Sequence, residues 1–162
     1  MAEAIRLVLS NVPAISFVLA VAVALARRDG RPLASRLLDW MLILPVGLSF
    51  LWAGLFHVFA PQIAAAAIGW QVSPFQFEIA IADIAIGLVG IAAFWQSLAF
   101  KAAVVAYIVL FDIGVAIGHV RQALVNDDYA ADNFGLLLVL TVVQAVLLPV
   151  LLWLAARAAR KP

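Results

Sequence analysis

The chain has 162 residues, of which 67% are hydrophobic and only 12% charged, and its mean hydropathy is +1.15. Soluble domains are about half apolar and a quarter charged, so this chain is expected to have lipid as its solvent and to form one compact helical bundle. A net charge of +1 gives no basis for nucleic-acid binding, and the absence of cysteine excludes disulfides, thiolate metal sites and CxxC redox chemistry within the chain.

A spanning helix needs about 20 largely apolar residues. Five stretches meet that requirement, at about residues 5–26, 37–60, 74–96, 98–120 and 134–156. The first carries Ala24-Leu25-Ala26, which imitates a signal-peptidase site. Its start, however, holds both Glu3 and Arg6, and a basic cluster follows, so it is expected to stay as a span. Asn11 and Pro13 are expected to bend it. The second span has Gly47, Gly54 and His57 on roughly one face.

Between the second and third spans, residues 61–69 are apolar but too short to cross a bilayer. They predict an interfacial or re-entrant helix, stopped by Gly69, that roofs the bundle. Ser73-Pro74-Phe75-Gln76 then supplies an N-cap, a proline at the first helical position and a capping-box glutamine. The third span continues with a small-residue seam at Ala80, Asp83, Gly87 and Gly90, and the fourth has Gly114 and Gly118 one small-xxx-small step apart. Such seams let helix backbones approach closely in lipid. The loop 126–133 is acidic.

Orientation follows from lysine and arginine. Placing Arg27, Arg28, Arg31, Arg36, Lys101, Arg157, Arg160 and Lys161 inside leaves only Arg6 and Arg121 outside. The predicted fold is therefore an all-α polytopic membrane bundle of five transmembrane helices, N-terminus outside and C-terminus in the cytoplasm. Trp40, Trp95 and Trp153 then mark the inner interface and Trp70 the outer one. Asp39, beside Arg36, is expected to form an exposed ion pair.

Ionisable side chains within spans cost on the order of 2.5 to 3.5 kcal/mol at a helix centre, so each needs a partner or a wet cavity. Here they gather in the outer half: His57, Glu78, Asp83, Asp112 and His119, joined by Gln76 and, more loosely, by Gln71 and Tyr107. Asp112 and His119 are seven residues apart and share a helix face. Such a cluster suits a polar headgroup site whose apolar walls are Phe50, Trp52 and Phe111. It also suits a proton or ion path, for which the helix centres offer few polar residues toward the cytoplasm. A metal on His57, Glu78, Asp112 and His119 is disfavoured, since the Glu-x-x-His spacing of di-iron bundles is absent. The plain alternative is that His57 with Glu78, and Asp112 with His119 or with the third-span seam, are buried pairs that fix helix register, that Glu78 alone faces the outer headgroups, and that Gln144 is a helix-to-helix hydrogen bond. No nucleophile-elbow, P-loop, dinucleotide or zincin motif is present.

The run Gly47 to Gly54 with Phe56-His57, then Ile68-Gly69-Trp70, Ser73-Pro74-Phe75-Gln76-Phe77-Glu78, Gly87 with Gly90, and Gly118-His119 resembles the DoxX-like group of small bacterial integral membrane proteins. The resemblance implies a four-helix core over about residues 37–156 with the first helix as an addition. It also implies the bacterial cytoplasmic membrane as location and an oxidoreductase-associated, quinone-linked accessory role, carried most directly by His57 and Glu78. The partners it implies are the lipid bilayer, a quinone or other amphiphile, and a membrane protein or a second copy of the chain. Asp83, Asp112 and the acidic loop have no place in the family pattern, and the lack of cysteine excludes thiol relays.

Overall fold

The structure, a computed structural model, describes residues 11–160, and every regular element in it is helical. In chain order these are α1 (Val12–Ala26), α2 (Leu33–Phe59), α3 (Pro61–Ala67), α4 (Pro74–Ala93), α5 (Leu98–Asn126) and α6 (Leu136–Ala159). Helices α2, α4, α5 and α6 are long and apolar enough to cross a membrane, and α1 is a shorter apolar helix over its 15 described residues. Glu3, Arg6 and the first turns expected of the first span lie outside the described residues.

Several boundaries differ from the hydropathy reading, each for a local reason. Pro13 occupies the first turn of the described α1, where its missing N–H costs nothing, and the segment against which Asn11 and Pro13 were expected to bend the span lies outside the described residues. Pro32 takes an extended conformation (φ −53°, ψ 141°), and α2 starts at Leu33, four residues before the apolar run. Helix α5 continues six residues past the expected end, because polar Arg121, Gln122 and Asn126 end the apolar pattern but not the backbone ladder. It stops at Asp127, whose φ of 56° lies in the left-handed region. The turn after α4 passes Ser97, whose hydroxyl accepts from the Phe100 N–H at 3.3 Å and caps α5.

Helices α2 and α4 are in close backbone contact along the expected glycine seam. A Cβ at Gly54 would stand 2.6 Å from the Ala80 carbonyl oxygen, and one at Gly87 would stand 2.6 Å from the Leu51 nitrogen. Helices α5 and α6 form a second packed pair, with the start of α2 against α6. The expected Gly114/Gly118 step is not a packing seam: a Cβ at either position meets nothing within 4 Å. Within α2, residues Leu42–Leu48 widen into a π-helical turn around Pro45, which lacks the N–H that a regular turn would use.

The two ends of the bundle differ. At the arginine-rich end, Leu38, Met41, Leu42, Ile86, Val104, Ile108, Leu148 and Leu151 form a continuous apolar core. Below that core the expected exposed pair of Asp39 and Arg36 is replaced by a buried one. Asp39, only 3% exposed, is held by the Lys101 ammonium and by Arg31 Nη1 at 2.5 Å. Arg36 instead donates to the Arg27 carbonyl. Arg31 also clamps Asp29 at 2.8 Å, which holds the Asp29 carboxyl below its usual range and raises Arg31 above its own. Arg27 over Trp40 and Arg157 over Trp153 complete this rim.

Candidate functional site

At the opposite end, where α2 meets α4 through α3 and α5 meets α6 through the acidic loop, the two helix pairs part around a cavity of about 410 Å³. Every helix contributes to its wall: Pro13 and Phe17 from α1, Pro45, Ser49, Phe50 and His57 from α2, Ala65 from α3, Gln76 and Asp83 from α4, Phe111, Asp112, Gly118 and His119 from α5, and Thr141 and Gln144 from α6. Trp70, Gln71 and Ser73 border it in the segment between α3 and α4.

The helical repeat decides which of the expected residues meet. Gln76 and Asp83 are seven residues apart, two turns of α4, and both line the cavity. Glu78 is two residues, or about 200°, from Gln76, so it points away; it is exposed and lines nothing. His57 therefore does not pair with Glu78. Its Nδ1 lies 3.0 Å from Gln76 Nε2, which also donates to the Pro61 carbonyl at 2.9 Å. Because the carbonyl can only accept, the amide nitrogen must face it, Nδ1 accepts as well, and the ring proton sits on His57 Nε2. This use of Gln76 replaces the expected capping box, and Ser73 makes no side-chain cap bond. Gln76 Oε1 is buried with no hydrogen-bond partner.

On the other side, Asp112, 2% exposed, accepts from Gln144 Nε2 at 3.0 Å. It does not bond His119. His119 Nδ1 lies 2.7 Å from Asn133 Oδ1, and the Asn133 amide nitrogen donates to the Asp128 carbonyl at 2.7 Å and the His119 carbonyl at 3.4 Å. With its nitrogen committed to carbonyls, Asn133 presents its oxygen, so His119 Nδ1 is the donor. Trp70 stacks on the His119 ring at 5.7 Å. The two cavity histidines thus carry opposite hydrogen-bond roles at Nδ1.

Asp83 is 6% exposed, lines the cavity and makes no hydrogen bond or ion pair with another described residue. Apolar cover comes from Phe50 and Phe111, which meet edge to face at 5.8 Å. The expected third wall, Trp52, stacks on Phe56 instead, and Tyr107 is exposed outside the cavity. Residues not anticipated are Ser16 and Ser49, whose hydroxyls meet at 2.6 Å to join α1 to α2, and Asn133, buried although it lies in a polar loop. The sign of the first pair in the sequence is a serine within each apolar run, Ser16 in the first and Ser49 in the second. Among the described residues no three histidine, aspartate or glutamate side chains are grouped as a metal ion requires, since Glu78 is turned away.

A family profile described as "Family of unknown function (DUF6790)" matches residues 10–161, and the chain belongs to that family. No curated protein and no solved structure matches it. The chain is a small helical membrane protein of a family whose function is unknown.

Proposed function

We propose that this membrane protein of the DUF6790 family binds a small amphiphile in the cavity between its two helix pairs. The observation that carries the reading is Asp83, a nearly buried acid with no partner among the described residues, in a largely apolar cavity that Asp112, His57 and His119 also line. A buried polar group without a partner is costly, and a ligand headgroup removes that cost. The finer form of the proposal is a DoxX-like, quinone-linked accessory subunit, in which a quinone carbonyl would accept from His57 Nε2–H. Transport is the weaker reading, because the apolar core at the arginine-rich end offers no polar route onward.

The test uses Trp70, which borders the cavity. In nanodiscs, brominated octanol is expected to quench a saturable part of the tryptophan emission, and Trp70→Phe should remove that part. Gly118→Leu, which fills the cavity from a position with nothing within 4 Å, should abolish saturation while leaving the thermal transition in place. Saturable quenching that survives Gly118→Leu would refute the cavity as the site.

We also infer five spans, with the acidic loop outside and the arginine-rich end in the cytoplasm of a bacterial cell. The chain has no cysteine, so Tyr129→Cys gives a single reporter. A membrane-impermeant maleimide should label it in intact cells; labelling only after lysis would reverse the orientation.

A further inference from the structure

The cavity's charge pattern narrows its ligand. Asp83 and Asp112 both line it, at 6% and 2% exposure, and among the described residues no lysine or arginine does. The described basic residues are placed elsewhere: Lys101 and Arg31 hold Asp39 at the far end of the bundle, and Arg121, two residues past His119, is exposed and lines no part of the cavity. Gln144 serves one oxygen of Asp112 but brings no charge, and no described residue serves Asp83. The described residues therefore supply two acids to this cavity and no counter-ion.

Aromatic rings line the same cavity as these acids. Phe17, Phe50, Phe111 and Trp70 all face the cavity, and the faces of such rings attract cations, the more so away from water. An anionic headgroup would meet two carboxyls, with no arginine or lysine among the described lining residues to receive it. A headgroup that only accepts hydrogen bonds, a quinone's included, would leave an ionised Asp83 unserved, so the ammonium assignment takes the place of the quinone form of the reading above. An ammonium group on a short apolar body satisfies the acids, the rings and the aliphatic wall together.

We propose, resting on the amphiphile-binding reading above, that the preferred ligand is a cationic amphiphile whose ammonium group is received by Asp83 and Asp112. The probes that test it share one tail and differ in the head: octylammonium, octanol and octanoate. Each is titrated against the protein in nanodiscs through the Trp70-dependent emission and corrected for its partition into protein-free nanodiscs. Octylammonium should bind about ten-fold more tightly than octanol, equal to about 1.4 kcal/mol, with octanoate weakest.

Asp83→Asn, which keeps the shape of the side chain, should reduce the ammonium preference to about three-fold or less while octanol binds as before. Asp83→Glu should restore most of the preference, which a merely folded or misfolded state would not do. Equal affinity for the three probes, or an ammonium preference that persists in the Asp83→Asn/Asp112→Asn double variant, would overturn the cationic assignment and leave the cavity reading standing. Failure of all three probes to bind would overturn the cavity reading itself, and the assignment with it.

Discussion

Replacing Gly87 by alanine tests the central packing claim at a single methyl group. The added Cβ would lie 2.6 Å from the Leu51 nitrogen, 2.8 Å from the Gly47 carbonyl oxygen and 2.9 Å from the Leu51 Cα. All three are backbone atoms of α2, so no side-chain rotation relieves the contact. Ordinary carbon contacts begin at 3.4 Å, so the helices must withdraw by roughly 0.8 Å along the seam. That withdrawal also loosens the contacts at Gly54 and Gly90, where Cβ atoms would already be too close. Overpacking of this kind costs about 1 to 3 kcal/mol, partly offset by the up to about 1 kcal/mol by which alanine favours a helix over glycine. The expected net effect is a loss of about 1 to 2 kcal/mol, read as a lower midpoint in a reversible SDS unfolding titration. Gly114→Ala is the matched control: nothing lies within 4 Å of its Cβ, and only the helix-propensity gain should remain. If Gly87→Ala is as stable as Gly114→Ala, α2 and α4 do not meet through these glycines.

Lys101→Met should destabilise the bundle toward the lower end of the 3 to 5 kcal/mol typical of breaking a buried pair, because Arg31 still holds Asp39. Adding Asp39→Asn should recover much of that loss in the same titration, and no recovery would mean the charge was not the cause. Asn133→Leu strands the His119 ring and two carbonyls and should cost about 1 to 3 kcal/mol, with the His119 ring resonances shifted in an NMR spectrum. A silent substitution would remove Asn133 as the anchor of the loop. For Asp29, the Arg31 hydrogen bond depresses the folded pKa below the ordinary 3.8. Its small contribution to stability is therefore present above that value and lost as pH falls through the lower folded one. The Asp29 carboxyl should titrate below 3.8 by NMR in the parent and return toward 3.8 in Arg31→Gln; an unchanged midpoint would dissociate the pair.

Composition and the roughly 20-residue apolar runs were enough to read the membrane class and the order of the helices, because bilayer thickness constrains length so strongly. The α2–α4 seam was equally legible, since glycines at helical spacing have few other uses in lipid. Side-chain partners were not. His57 faces Gln76 and not Glu78 because rotation around α4 separates residues 76 and 78 by more than half a turn, which proximity in sequence conceals. The Gly114/Gly118 step looked like a seam, yet whether a small residue marks close contact or open space depends on what stands opposite, here the cavity at Gly118 and the exposed outer face at Gly114. Asp39 and Lys101 are 62 positions apart, and only the folded arrangement brings them into one pair.

The roof over the cavity has a consequence for how it could be reached. Asp128 sits against Gly69, in the turn that ends α3, while Trp70 lies on His119, so the loop after α5 is fastened to the segment after α3 across the end of the bundle. The wall on the α4 side is different: Phe75 and Ile79 line the cavity and are also 72% and 47% exposed. In a bilayer that exposure faces acyl chains. A guest would then enter sideways from the hydrocarbon, and its concentration dissolved in the membrane, set by partition, would govern occupancy. Two compounds with equal intrinsic fit would differ in potency by the ratio of their lipid solubilities.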